Sequence, residues 1–199
     1  MQFTNLSSTF AGFAILLVFG VVGVVGPADV HAQAQTAERT LQTASNSNQA
    51  ILSPQFLVIP KISTATAIEP VGRNADGQMK TPRDWQNTGW YEPGVNPGEK
   101  GHAVFAAHRD WDGNAGPFYD LPELSVGDNV FVAGKEAIHV YTVVESNSYT
   151  RTADPASVIF ENRDSPMITL ISCEGDFVDA AGTYDERRVV QAKLTHTFQ

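Results

Sequence analysis

The chain contains one cysteine, Cys173, and its surroundings in the sequence allow it to act as a nucleophile. It follows the apolar run at residues 167–172 and precedes a Glu-Gly pair, so we expect it where a buried strand ends and a loop begins. Cysteines are often buried in folded proteins, but the polar neighbours Ser172, Glu174 and Asp176 favour an exposed thiol. A single cysteine excludes a disulfide within the chain and a zinc site built on cysteines.

Two other residue types could assist a thiol. His108 ends the apolar run at residues 103–107, and Arg187 and Arg188 precede a run in which apolar and polar residues alternate. A free thiol has a pKa near ~8.5 and is mostly protonated at neutral pH, so it needs a neighbouring imidazolium that favours the thiolate. The same ring can protonate a leaving amine, and a guanidinium supplies donors for an oxyanion. Together these residue types predict nucleophilic chemistry by a thiol with an acid/base and a cationic partner.

We expect no metal and no other cofactor, because no pair of histidines has the spacing of metal ligands. His31 lies in the N-terminal region, and His102 is expected just before a strand. His139 and His196 are expected within strands, where they pack or face solvent.

The remainder of the sequence predicts many short strands and few helices. Pro60 interrupts a β-type run at residues 56–62, which predicts an edge or bent strand. A Gly-Lys turn separates residues 128–133 from residues 137–145, which predicts a hairpin. Further strands are expected at residues 103–107, 167–172 and 188–198, and short helices at residues 118–124 and 154–160. This pattern predicts a single all-β barrel or sandwich.

The composition is that of a folded protein and excludes some partners. A chain of 199 residues can form one domain with a core and a short appendage. Hydrophobic residues make up 42% and charged residues 18%, which is typical of a globular chain. The formal net charge of -9 argues against nucleic acid as a partner and against attachment to anionic lipid by a basic patch.

An uncharged run of 18 residues, residues 9–26, predicts export. Its length lies between a signal-peptide core and a membrane span, and the Ala-Gln-Ala sequence at residues 32–34 is typical of a cleavage site. Either interpretation places the rest of the chain outside the cytoplasm, and a retained segment would contact the membrane. We therefore expect a signal peptide or membrane anchor at residues 1–34, a polar linker at residues 35–53 and a folded domain at residues 54–199.

Five segments together resemble the sortase family of cysteine transpeptidases. They are IPKI at residues 59–62, AVFAAHRD at residues 103–110, PFYDLPELSVGD at residues 117–128, TLISC at residues 169–173 and YDERRVVQAKL at residues 184–194. TLISC resembles the TLxTC nucleophile motif of the family, with Ser172 in place of the more usual threonine. The order and spacing are specific, because Cys173 follows His108 by 65 residues and precedes Arg187 by 14.

The resemblance implies an all-β fold, a single closed eight-stranded β-barrel with short connecting helices. It also implies that Cys173 attacks the threonine carbonyl of an LPxTG-like sorting signal and forms a thioester. His108 would then protonate the leaving amine and deprotonate the incoming one, and Arg187 would steady the substrate and the oxyanion. The implied partners are surface proteins with a C-terminal sorting signal and an amine acceptor, such as a peptidoglycan precursor or a pilin lysine. The sorting pentapeptide, the sortase class and calcium dependence stay open.

Arg187 and Arg188 compete for the oxyanion role. Counting back from the Val-x-Ala of the family's last strand places Arg187 at the catalytic position. The alternation agrees, because Arg188 shares a face with Val190 and Ala192, the expected core side, whereas Arg187 faces outward. A slip of one residue would invert these faces, so Arg188 remains the rival. We expect Thr169 and Arg188 to contact the substrate.

Other functions fit the same residues. A thiol peptidase of this architecture that only hydrolyses its substrate would show no different motif, because the amine site has no local signature. A non-catalytic exported β-barrel that binds a partner would contain an inert Cys173. An L,D-transpeptidase is less favoured, because its cysteine usually follows a Ser/Thr-His-Gly-x sequence that is absent before Cys173.

Overall fold

Eight strands close into a barrel in the computed structural model, which describes residues 52–152 and 164–199. This confirms the all-β class and the closed eight-stranded barrel. The strands of the described residues are β1 (Pro54–Ile59), β2 (Thr64–Val71), β3 (Thr88–Tyr91), β4 (Gly101–Ala106), β5 (Asp110–Trp111), β6 (Asn114–Ala115), β7 (Asn129–Gly134), β8 (Ile138–Thr150), β9 (Pro166–Val178) and β10 (Thr183–Phe198). Short 3-10 helices lie in the connections at Pro60–Ile62, Leu121–Glu123 and Asp179–Ala181.

The strands follow one another around the barrel in the order β1-β2-β3-β4-β9-β10-β8-β7, and β7 pairs with β1 to close it. The pairs β2–β3 and β4–β9 are parallel. Since β1 has a partner on both sides, the edge-strand alternative of the prediction for residues 56–62 is wrong. Pro60 instead ends β1 and starts a 3-10 turn, because proline has no N–H to donate to a ladder.

The main hydrophobic core fills the barrel. Strand residues alternate between the two faces of a sheet, so Phe105, Leu170 and Val190 point inward and are fully buried. Val104 and Val189 point outward and belong to a second, smaller cluster against the outer face. Two packed faces on the same strands define the register, since a slip of one residue would exchange them.

The local predictions have mixed outcomes. The predicted hairpin is confirmed as β7 and β8, but His102 lies within β4 rather than before it. The predicted helix at residues 118–124 is wrong for most of its length, because only Leu121–Glu123 forms a 3-10 turn. Pro122 lacks the N–H that would bond to the carbonyl four residues earlier in an α-helix.

Several predicted segments lie outside the described residues. They are the N-terminal segment at residues 1–34, most of the linker at residues 35–53 and the helix at residues 154–160. Within residues 52–152 and 164–199, no helix is long and apolar enough to cross a membrane.

Candidate active site

Cys173 and Arg187 are direct neighbours across the antiparallel β9–β10 ladder, as are Ser172 and Arg188. Residues directly opposite each other in such a ladder point to the same face, so Cys173 and Arg187 share the outer face. The thiol is half-buried. The prediction that Cys173 ends its strand and that the arginines open theirs is wrong: β9 continues to Val178, because β10 still pairs with it beyond the end of β4.

The parallel β4–β9 ladder brings His108 toward Cys173. The last paired residues are Ala106 and Ile171, and the Ala107 N–H donates to the Ile171 carbonyl at 3.2 Å. His108 follows directly, and its own carbonyl accepts from the Phe118 N–H at 3.1 Å. The backbone on both sides of the imidazole is therefore held by hydrogen bonds.

A cavity of about 580 Å³ lies on this outer face, and His108, Cys173 and Arg187 all line it. The residues around these three are Met79, Lys80, Thr81, Pro82, Ala106, Ala107, Arg109, Asp110, Trp111, Asp112, Ile171, Ser172, Phe177, Gly182, Thr183 and Tyr184. Apolar and aromatic side chains form much of the wall, with a few charged groups among them. The structure thus brings together three side chains that are far apart in the sequence, while Arg188 and Thr169 do not line the cavity.

Arg187 is held by the chain that precedes it in β10. Its Nη1 group donates to the Tyr184 carbonyl at 2.9 Å and to the Glu186 carbonyl at 2.7 Å, and Nη2 donates to Thr183 Oγ1 at 3.1 Å. A guanidinium has five N–H donors. The Nε–H and one Nη2–H therefore have no hydrogen-bond partner among the described residues.

Arg188 forms an ion pair with Glu174. Its Nε and Nη2 groups donate to the two carboxylate oxygens of Glu174 at 2.9 and 2.7 Å. Burial alone would raise the pKa of Glu174, but hydrogen bonds from Arg188 and Ser148 and the charge of Arg188 outweigh it and hold that pKa below its usual value. Arg188 is thus the partner of a carboxylate, and the structure does not bring it to the predicted substrate site.

Thr169 also lies away from the cavity. It is fully buried, and its hydroxyl is 2.7 Å from Nδ1 of the buried His102. The structure therefore places Thr169 in the packing between β4 and β9, and a direct contact with substrate would require it to leave this position.

The environment of His108 favours the neutral ring and not the imidazolium that the sequence predicts beside the thiol. Partial burial lowers the pKa of His108, and the negative charge of Asp110 opposes this shift. The Trp111 ring meets the imidazole in an edge-to-face arrangement with 5.1 Å between ring centroids. A ring of lowered pKa can accept a proton from a thiol at neutral pH and return it to a departing amine.

The cavity is also lined by Asp110, Trp111, Phe177 and Tyr184, which are not among the site residues predicted from the sequence. The Tyr184 hydroxyl donates to the Asp110 carboxylate, and the Tyr184 ring meets Phe177 edge-on with 5.4 Å between centroids. A signal was present, because two of the four follow His108 within three positions. The other two lie on the short segment between the cysteine and the arginine.

In the part of the chain that the structure describes, no group of three or more His, Cys, Asp or Glu side chains is arranged to hold a metal ion. This finding does not test the prediction of a metal-free site.

Solved structures of similar fold are sortases. The SrtA sortase from Actinomyces oris is 23% identical, with a TM-score of 0.57 over 76% of this chain and 85% of that chain. Sortase E1 from Streptomyces coelicolor, solved with a tripeptide in the active site, is 21% identical, with a TM-score of 0.56 over 73% and 89%. The sortase D5 transpeptidase from Clostridium perfringens is 25% identical, with a TM-score of 0.55 over 82% and 89%.

The sequence itself matches a family description over most of its length. No curated protein matches the chain significantly. The family model of the Sortase domain, however, matches residues 57–195, which include His108, Cys173 and Arg187. Since this match spans well over half of the sequence and agrees with the barrel, the chain belongs to the sortase family.

Proposed function

We propose that this chain cleaves an LPxTG-like sorting signal through a thioester on Cys173 and transfers the acyl group to an amine. The observation that carries the proposal is the shared cavity, in which His108 and Arg187 accompany the thiol. Sortases are cysteine transpeptidases that take substrates with sorting signals and amine acceptors, and the family match supports the same reaction class here.

In the acylation step, the Cys173 sulfur attacks the threonine carbonyl carbon and the thiol proton passes to His108. Burial lowers the pKa of His108, so the neutral ring that accepts this proton predominates at neutral pH. The remaining N–H groups of Arg187 stabilise the oxyanion. When the intermediate collapses, the Thr–Gly bond breaks, His108 protonates the leaving glycine amine, and the thioester remains on Cys173.

In the second step, an amine attacks the thioester carbonyl and the bond between that carbon and the Cys173 sulfur breaks. His108 takes the proton that the amine loses and gives it to the departing sulfur, which regenerates the thiol and the neutral ring. A new amide bond thus replaces the thioester, and no external oxidant or energy source is needed. Water in place of the amine gives a carboxylate product, which is the hydrolytic side reaction.

The test is to trap the thioester on the full chain. Intact mass spectrometry after mixing with a panel of LPxTG-like peptides should show an adduct of the acyl fragment on the protein, and Cys173→Ala should show none. Adding triglycine should convert the product from the free acid to the amide.

Two results would favour the other functions. Free acid as the sole product across many amines would identify a thiol peptidase that only hydrolyses. Absence of any thioester, together with a Cys173 that reacts with iodoacetamide only after denaturation, would identify a non-catalytic binding module. The half-buried thiol in an open cavity favours reactivity in the folded protein.

We also propose that the folded domain works outside the cytoplasm, on surface proteins that carry a C-terminal sorting signal. The support is the uncharged run at residues 9–26, which is typical of an export segment. A membrane-impermeant maleimide should label Cys173 on intact cells. Labelling that requires lysis would refute this location.

A further inference from the structure

We propose that Asp110 and Tyr184 act as a positioning pair for the reaction proposed above. The pair joins the segment that carries His108 to the hairpin that carries Arg187. The inference rests on the proposed function for its role in catalysis, although the contact itself belongs to the fold.

The His108 segment leaves the barrel close to the catalytic residues. The β4–β9 ladder ends at Ala106 and Ile171, with one further backbone hydrogen bond from Ala107. After His108 the chain turns away into the β5–β6 hairpin, which pairs with itself and not with β9. The imidazole therefore lies just past the last rung of the ladder, where a side-chain contact can add to the backbone hydrogen bonds and fix its segment relative to the neighbouring hairpin.

Tyr184 supplies that connection. Its hydroxyl donates to the Asp110 carboxylate, two residues beyond His108. This hydrogen bond raises the pKa of Tyr184 above its usual value. The backbone carbonyl of Tyr184 accepts a hydrogen bond from Arg187 at 2.9 Å. One residue thus contacts both the segment of the proposed acid/base and the side chain of the proposed oxyanion donor.

Neighbouring groups hold the pair in place. The Arg109 guanidinium lies 5.1 Å from the centre of the Tyr184 ring, and its Nε is 3.6 Å from the Asp110 carboxylate. Phe177 packs edge-on against the same tyrosine ring. A ring fixed by a cation and an aromatic neighbour presents its hydroxyl to Asp110 with little freedom, as a positioning role requires.

Two variants of Asp110 separate an effect on the charge near His108 from an effect on the position of its ring. The ionisable groups that line the cavity with it are Lys80, Arg109, Asp110, Asp112, Cys173, Tyr184 and Arg187. Asp110→Asn removes one charge from this set but keeps an oxygen that accepts from Tyr184, whereas Asp110→Ala removes both.

The test compares rates of thioester formation on the full chain. Tyr184→Phe keeps the packed ring and removes the donor, and we expect kcat to fall roughly tenfold with KM unchanged within about twofold, since a hydrogen bond to a charged group is lost. Asp110→Ala should give a similar loss and Asp110→Asn a smaller one. The double variant Asp110→Ala with Tyr184→Phe should be no slower than the slower of the two single variants, because the two residues act as one unit.

Tyr119→Phe is the matched control. Tyr119 lies 5.5 Å from the same Arg109 guanidinium but outside the cavity, so loss of its hydroxyl should leave kcat unchanged. Thermal unfolding of each variant shows whether the fold is retained. Additive losses in the double variant would refute the pair, since they would show two independent contributions.

A second measurement does not depend on any peptide substrate. The rate of Cys173 alkylation by iodoacetamide against pH reports how well His108 supports the thiolate. The profile should move to higher pH in Tyr184→Phe and stay in place in Tyr119→Phe. A moved profile without any thioester in the unaltered protein would refute the proposed function and keep the pair. A normal profile and rate in Tyr184→Phe would refute the pair and keep the function.

Discussion

Replacing Arg188 with alanine should destabilise the fold and leave the rate of thioester formation nearly unchanged, whereas replacing Arg187 should lower that rate with a smaller effect on stability. Arg188 makes two charge-assisted hydrogen bonds to Glu174, and both side chains are only 16% exposed. Removal of one partner leaves a largely buried carboxylate without its counter-charge. Loss of a fully buried pair costs about 3–5 kcal/mol and loss of a single hydrogen bond to a charged group about 1.5–3 kcal/mol. For this partly solvated pair we expect about 2 kcal/mol.

The two arginines should therefore separate in two measurements. A loss of about 2 kcal/mol in a domain of this size lowers the unfolding temperature by roughly 4–8 °C, which a thermal scan of Arg188→Ala resolves. Arg187→Ala loses hydrogen bonds to groups near the surface that water can replace, so its unfolding temperature should change less. Its rate of thioester formation should fall by about 10²-fold, as expected for an oxyanion donor, while Arg188→Ala should stay within about threefold of the unaltered rate.

The pH dependence gives an internal check. The folded pKa of Glu174 lies below its usual value, so the stabilisation by the ion pair is present above the unfolded pKa and is lost as the pH falls through the folded pKa. The stability difference between the unaltered protein and Arg188→Ala should shrink over that acidic range. Glu174→Gln is the matched control, because it removes the charge with little change of shape. A large loss of thioester formation in Arg188→Ala at normal stability would refute the assignment of both arginines.

Three further variants test the remaining positions. His108→Ala should lower the rate of thioester formation by at least about 10²-fold without unfolding the chain, and a smaller loss would assign acid/base catalysis elsewhere. Gly116→Ala should also slow the reaction, because a Cβ at that position would lie 2.4 Å from the His108 carbonyl oxygen. Gly72→Ala is the control for both rate and stability, because its Cβ would meet nothing within 4 Å. Glu69→Gln should lower stability at neutral pH. Hydrogen bonds, first from Asn87, lower the pKa of Glu69 to about 2. The difference in unfolding temperature between Glu69→Gln and the unaltered protein should therefore persist above pH about 4.5 and vanish as the pH falls toward 2. A constant difference across this range would refute the stabilising role of the Glu69 carboxylate.

Much of the fold could be predicted from local pattern and resemblance. Alternation in the last strand placed Arg188 with Val190 on the inner face and Arg187 on the outer one, as the paired strands show. The β7–β8 hairpin followed from a glycine turn between two β-type runs. These features depend on the side-chain period and on turn residues, which are properties of a short stretch of sequence.

The errors arose where distant segments decide the outcome. Cys173 was expected at a strand end because apolar residues stop before it, but β10 provides a partner that extends β9 to Val178. Thr169 was expected to contact the substrate, yet it lies buried against His102. The contact between Asp110 and Tyr184 joins residues that are 74 positions apart. No local pattern encodes such a pairing.

Adjacent residues of β9 and β10 lie on opposite faces of the sheet, so one contributes to stability and the next lines the cavity. On the inner face, Val190 is buried in the barrel core and Arg188 is bound to Glu174. On the outer face, Cys173 and Arg187 meet in the cavity. A slip of β10 by one residue would turn Gln191 and Lys193 toward the core and take Arg187 away from the thiol, so the contacts that stabilise the barrel also enforce the register of the site. Stability and chemistry therefore both depend on this register, and the variants of Arg188 and Arg187 each test one face.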